Sequence, residues 1–184
     1  MVKITTDTTS MYTVSEGKAM GIDLVPMTLI AGDKSYREIE EINVDELKEL
    51  IEAGVKLTTS QPAVGEVMDL FEEASEETPI LHITMGANFS GAYSSACAVK
   101  EMMDDDIKDF ITVYESGTVC GINWAMVNIA KDMADKGHTV EEIVKVLDHI
   151  KANDRNNMLP QDFAMVQRGG RVSEEERKLD PSLN

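Results

Sequence analysis

Between residues 57 and 153, short β-rich runs alternate with helical runs, and this alternation restricts the fold more than any other feature of the chain. Pro79 to Met85 and Ile111 to Tyr114 read as strands. A run opening at Pro62 and reaching Glu76 carries Val64, Val67, Met68 and Phe71 at helical spacing. Ser90 stands at the start of a helix to Met103, and Ser116-Gly117-Thr118 lead into an apolar helix stopped by Gly137. Thr139 and Glu142 form a capping box for a last helix to about Asn153. Strands joined through crossover helices close as a parallel sheet with helices on its faces. The expected fold class is therefore α/β, a parallel sheet with crossover helices, and ligands in such sheets sit beyond the carboxyl ends of the strands.

The segment before residue 57 is built differently. Val2 to Thr6 reads as a strand ended by the polar cluster Asp7-Thr8-Thr9-Ser10, and Val14 to Met20 as a short helix stopped by Gly21. Residues 22–37 read as a β-hairpin: a run from Ile22 to Ile30 interrupted by Pro26, a turn at Ala31-Gly32-Asp33-Lys34, and a return at Ser35 to Arg37. Asn43 and Glu46 cap the next helix, which Gly54 ends. Met158 to Phe163 reads as a further strand, and Ser173 to Asn184 as a charged tail with almost no apolar residues. The expected division is one α/β domain over 1–165 and, over 166–184, the start of a second domain or a disordered tail.

Two stretches carry the functional signal. In Leu57-Thr58-Thr59-Ser60-Gln61-Pro62, three hydroxyl residues precede a proline suited to the first turn of a helix. Asn88-Phe89-Ser90-Gly91-Ala92-Tyr93 repeats the design. A single hydroxyl at such a place is ordinarily just a helix cap. Two uncharged, hydroxyl-rich helix starts at the same edge of a sheet can hold an anion between them. Neither has the lysine and spacing of a P-loop or a Gly-x-Gly-x-x-Gly run, which favours a small anion over a nucleotide. Asp7, Thr8 and Thr9 read as a polar loop cluster supporting that site. Ser90 lacks a Gly-x-Ser-x-Gly elbow, and His82, His138 and His149 read as structural or solvent-facing, so no catalytic residue is assigned. No His, Cys, Asp or Glu grouping has metal-ligand spacing, and neither metal nor cofactor is expected.

Charge narrows the partners. The formal net charge is −17, and all of it falls in residues 1–150, which hold 28 acidic and 11 basic side chains. Such a surface repels nucleic acid and anionic membranes. No run is apolar and long enough to span a bilayer, and the N-terminus turns polar at once, so stable membrane insertion and a secretory signal are not expected. Cys97 and Cys120 read as reduced thiols, which points to the cytoplasm. The 12 methionines fill core, or form an adaptable wall for a flexible apolar ligand.

Taken in order, Thr6-Asp7-Thr8-Thr9, Val25-Pro26-Met27, Thr59-Ser60-Gln61-Pro62 with Gly65-Glu66, Ser90-Gly91-Ala92-Tyr93, Glu115-Ser116 and Gly169-Gly170-Arg171-Val172 resemble the motifs of the DegV family of fatty-acid-binding proteins. The resemblance implies a DegV-like α/β domain and a long-chain fatty acid whose carboxylate is held by Thr59 and Ser90. Ser60, Gly91 and Thr58 complete the expected site, with Asp7, Thr8 and Gln61 in support. It also implies a binding protein rather than an enzyme, one that presents the acid to a separate fatty acid kinase. Two departures stand out. Gly86 and Ala87 occupy a loop that usually carries hydroxyls, and the resemblance ends after Val172, so most of the family's second domain is expected to be absent. With that domain goes a histidine on the carboxylate and the sheet that covers hairpin 22–37. A second copy of the chain could cover the hairpin instead, giving a homodimer. The alternative reading is a shortened relative that binds no lipid and acts as an interaction or scaffold protein.

Overall fold

The structure is a computed structural model of the 184-residue chain and describes residues 1–157, 166–167 and 169–171. The chain divides into two units, Met1–Asp154 and Arg155–Asn184.

In the first unit, β1 (Lys3–Asp7), α1 (Val14–Ala19) and β2 (Ile22–Val25) form a strand–helix–strand unit. The chain then makes β3 (Thr28–Ala31), β4 (Lys34–Arg37), α2 (Val44–Glu52), β5 (Leu57–Ser60) and α3 (Val64–Phe71). It returns to the main sheet with β6 (Ile80–Thr84), crosses through α4 (Ala92–Met102) and the short α5 (Asp105–Lys108) to β7 (Ile111–Glu115), and closes with α6 (Gly121–Asp135) and α7 (Val140–Asn153). The main sheet has the order β2-β1-β6-β7, and every pair in it is parallel. A second sheet, β4-β3-β5, is antiparallel.

The main sheet is covered on both faces, which is what a parallel sheet requires. Alternation along β6 sorts the two cores. Leu81 and Ile83 join Ile4, Ile22, Met126, Val127, Ile143 and Leu147 beneath α6 and α7. Ile80 joins Val67, Leu70, Phe71, Ala96, Val99 and Ile111 beneath α3 and α4. Each of these side chains larger than alanine contributes about 1.5–3 kcal/mol through burial. His82 points the same way as Ile80: the Phe71 ring meets it edge-on at 5.3 Å, and Thr5 Oγ1 lies 2.9 Å from its Nδ1.

Three expectations need correction. The run Ile22 to Ile30 is not one arm of a hairpin. Pro26 and Met27 break it, so Ile22–Val25 pairs with β1 in the parallel sheet and only residues 28–37 form the hairpin. That hairpin does have a partner within the chain, because β5 lies along the other side of β3. And β5 does not belong to the parallel sheet. Only Leu57 in it is apolar, and Thr58 and Thr59 are exposed, a pattern unsuited to a strand covered on both faces.

Capping boxes stand at Asn43/Glu46 and Thr139/Glu142 as the sequence indicates, and another at Thr13/Glu16 opens α1. In the second unit, Gly169 and Gly170 make a turn, with the Gly170 amide donating to the Gln167 carbonyl at 2.9 Å. Gly170 has φ +77°, which favours glycine. The strand expected at Met158 to Phe163 and the tail from Ser173 lie outside the described residues.

Candidate functional site

The strand order places the site. The chain leaves β1 toward β2 on one side, then returns to pair β6 on the other, so the direction of progression reverses between β1 and β6. In open α/β sheets ligands occupy the crevice beyond the carboxyl ends of strands at such a switch point. Here the loops that leave those ends are Asp7-Thr8-Thr9-Ser10 and Met85 to Ser90. A concavity of about 420 Å³ at the opposite edge, lined by Val2, Pro79, Phe110, His138 and Thr139, lies at the amino ends of the strands, where this rule places no ligand.

Asp7 ends β1 and is fully buried. Its Oδ1 accepts from the Thr9 amide at 2.8 Å and from the Thr9 hydroxyl. Asn123, also fully buried, donates through Nδ2 to Thr9 Oγ1 at 3.3 Å. Among the described residues, Asp7 Oδ2 and Asn123 Oδ1 are buried and find no well-formed hydrogen bond. Burial pushes the Asp7 carboxyl up to about 6, against the Thr9 donors and the Met85 amide, which favour the carboxylate; the charge of Glu38 adds to the rise. Thr8 joins the two sheets. Its hydroxyl donates to Glu38 Oε2 at 2.6 Å and accepts from the Met27 amide at 3.1 Å, at the point where the chain passes from β2 to β3. Asp7, Thr8 and Thr9 are thus built into the floor of the switch point, while Glu38 and Asn123 are members of it that the sequence did not single out.

The turn after β6 is tied down along its length. The Gly86 amide donates to the Thr118 carbonyl at 2.8 Å, Ala87 to Glu115 Oε1 at 2.8 Å, and Phe89 to the Gly86 carbonyl at 3.0 Å. A Cβ at residue 86 would lie 2.8 Å from the Gly117 carbonyl carbon, so only glycine fits there. Ser90 Oγ then accepts from the Ala92 amide at 3.1 Å, which caps α4 from one residue before its assigned N-cap, Gly91. The next amides in the first turn have no intrahelical carbonyl to bond. Beside this helix start, Met27, Met85, Ala92 and Val119 form a small buried apolar cluster against which Phe89 packs. It is distinct from the two cores that flank the main sheet, and it brings Met27, in the connection between β2 and β3, against Met85, which follows β6.

The other hydroxyl stretch is placed differently from the expectation. Thr58, Thr59 and Ser60 lie in β5 and do not cap α3, whose N-cap is Ala63 with no side-chain hydrogen bond. The register pairs Leu29 with Thr59 and Tyr36, and it pairs Thr28 with Ser60 and Arg37. Directly opposed residues share a face of a sheet. Thr59 is therefore on the face of Leu29 and Tyr36, and Thr58 and Ser60 are on the face of Thr28, Ile30 and Arg37. The three hydroxyls cannot act as one cluster. What brings this stretch to α4 is Gln61: a Cβ added to Gly91 would lie 3.1 Å from its Oε1. Glu66 in the first turn of α3 forms an ion pair with Arg37 of β4, which fixes the helix to the small sheet.

A family model described as "Uncharacterised protein, DegV family" matches residues 1–180. A DegV domain-containing protein of Listeria innocua is 30% identical over 175 residues, which are 94% of this chain and 61% of that protein. The chain thus spans about three fifths of that relative's length. A crystal structure titled DegV, a fatty acid binding protein from Bacillus subtilis, is similar with a TM-score of 0.77 and 25% identity, over 97% of this chain and 63% of that one. The fatty acid kinase B3 protein of Streptococcus pneumoniae, loaded with linoleic acid, is similar in fold with a TM-score of 0.69 and 21% identity, over 83% of this chain and 54% of that one. With its parallel sheet, its inserted antiparallel sheet and a family match covering nearly its whole length, the chain belongs to the DegV family.

Proposed function

We propose that the chain binds a long-chain fatty acid at the switch point between β1 and β6. The observation that carries this is the apolar cluster of Met27, Met85, Ala92 and Val119, with Phe89 against it, set directly beside the Ser90-capped start of α4. A helix start favours an anion, and the methionine-rich wall suits a flexible acyl chain. In this reading the carboxylate is held by Ser90 and Thr59, with Gly91 leaving its approach open and Gln61 bridging the two stretches. Ser60 and Thr58 offer further hydroxyls on the other face of β5. Asp7 and Thr8 support the floor. The chain contributes no catalysis, and in the whole protein the bound acid is presented to a fatty acid kinase. Two proteins of similar structure support this: the one from Bacillus subtilis is a fatty acid binding protein, and the fatty acid kinase B3 protein of Streptococcus pneumoniae is loaded with linoleic acid. Two free cysteines fit a reducing compartment such as the cytoplasm. Among the described residues, no helix is long and apolar enough to cross a membrane.

Organic extraction of the purified protein, followed by mass spectrometry, should recover a fatty acid, and delipidated protein should take up added oleate. Thr59→Ala and Ser90→Ala should each weaken oleate binding by about 1.5–3 kcal/mol, the worth of a hydrogen bond to a charged acceptor. A clean extract with no uptake of oleate sinks the reading.

A second reading, an interaction protein, is favoured by one observation: among the described residues β4 and β5 are the edges of the small sheet, and Lys34, Ser35, Thr58 and Thr59 along them are exposed. A ligand-free dimer in sedimentation would select it over the lipid-bearing monomer.

A further inference from the structure

We propose that Glu115 is a positioning residue for the ligand: clamped by Lys151, its carboxylate holds the Ala87 amide and so fixes the turn that presents Ser90. The proposal rests on the fatty-acid reading of the site and assigns a role to residues outside it.

Glu115 is the last residue of β7 and pairs in register with Thr84, the last residue of β6. Its side chain reaches across to the loop that follows β6 and accepts from the Ala87 amide at 2.8 Å. The Gly117 amide approaches the same carboxylate. Lys151, in the last turn of α7, donates to the Glu115 backbone carbonyl at 2.8 Å and forms an ion pair with its Oε2. Lys151 is itself confined. Its Nζ lies 5.8 Å from the centre of the Tyr114 ring, and the Tyr114 hydroxyl donates to Asp148, one turn earlier in α7, at 3.0 Å. Its stem covers Gly117, where a Cβ would fall 2.9 Å from Lys151 Cε.

An exposed ion pair usually contributes little, because two long side chains must be immobilised to make it. Here the lysine is already ordered by Tyr114 and Gly117, and the glutamate by two amides, so that cost is small. Burial pushes the Glu115 carboxyl up, but the hydrogen bonds from Lys151 and from the Ala87 and Gly117 amides outweigh it and hold the group below its usual value. The group is thus a carboxylate at neutral pH.

The turn depends on this contact because of its sequence. Gly86 has no side chain and Ala87 has only a methyl, so neither can restrain the turn with hydroxyl bonds of its own. The Gly86 and Ala87 amides, bonded to Thr118 and Glu115, are its attachments to the neighbouring strand's loop. From there the chain runs through Phe89, seated on the apolar cluster, to Ser90. Preorganising such a loop raises affinity by removing an ordering cost from binding.

The test measures three quantities on wild type, Glu115→Ala, Glu115→Gln and Lys151→Met: oleate affinity, melting temperature and hydrogen exchange at the Ala87 amide. Glu115→Ala should weaken oleate binding about tenfold and speed Ala87 exchange by a similar factor, with a melting temperature close to wild type. Lys151→Met should do the same to a lesser degree. Glu115→Gln keeps the acceptor and should bind within about threefold of wild type. If wild type binds oleate and Glu115→Ala binds equally well, the inference is wrong while the fatty-acid reading stands. If affinity falls only in step with melting temperature, or if glutamine does not rescue, Glu115 is merely structural and the inference again fails. If wild type takes up no oleate, the fatty-acid reading fails and takes the ligand role of Glu115 with it.

Discussion

Asp7 and His82 are both fully enclosed, on neighbouring strands, and they titrate in opposite senses. The Asp7 carboxyl, raised to about 6, favours folding when protonated. Its contribution is fully present below its unfolded value of 3.8 and is lost as pH rises through 6. Burial lowers His82 from 6.5 to about 4. Its contribution is present above 6.5 and is lost as pH falls through 4. Asp7→Asn should therefore stabilise the protein at pH 7.5 by about 1–3 kcal/mol and give no gain at pH 3.5, as read from the difference between urea denaturation curves. The same variant removes the opposing proton uptake, so its stability should decline more steeply than that of wild type between pH 6 and 4. A buried carboxyl that costs stability at neutral pH is common where a site rather than the fold has set the residue.

Helix α3 carries a defect at its start that the sequence conceals. Thr58, Thr59 and Ser60 look like its caps, yet they are spent in a strand, and Ala63 occupies the N-cap with nothing to offer the first-turn amides. Ala63 is exposed and already in the extended conformation that a cap requires, with φ −63° and ψ 132°. Ala63→Ser should raise stability by about 0.5–2 kcal/mol, measurable as an increase in melting temperature. No change would mean that upstream hydroxyls already cap the helix. The sequence makes α2 and α7 legible because a capping box is local: Asn43 with Glu46 and Thr139 with Glu142 bond within one turn. It makes β6 legible because a strand covered on both faces is an unbroken apolar run apart from His82 and Thr84. Strand pairing is not local. Nothing within Ile22 to Ile30 says that its first half pairs with Ile4 to Asp7 and its second half with Ser60 to Leu57. For the same reason Ser90 could be read as a helix cap, whereas the Asn123–Thr9 and Glu115–Ala87 contacts could not: their partners lie 114 and 28 residues apart.

Across the whole molecule, the small sheet is an insertion between two strands that both serve the main sheet. β1 pairs with β2 after a short helix, but its other edge waits for β6, with Thr5 and His82 separated by 77 positions. Closing so long a segment at random carries an entropic cost that grows with the logarithm of its length, about 4 kcal/mol here. The small sheet reduces that span in advance, because pairing Thr28 with Ser60 cinches the intervening chain into a short path. Order of assembly follows from this. The antiparallel sheet, made of more local pairings, should form before β6 docks, and its formation should govern the folding rate. Weakening it with Ile30→Ala should slow refolding in stopped-flow measurements while changing unfolding little; the reverse pattern would mean that the sheet forms late. For a chain emerging from the ribosome, the inserted sheet would then be a timing element: it gathers the first sixty residues while the central strand is still missing its second neighbour.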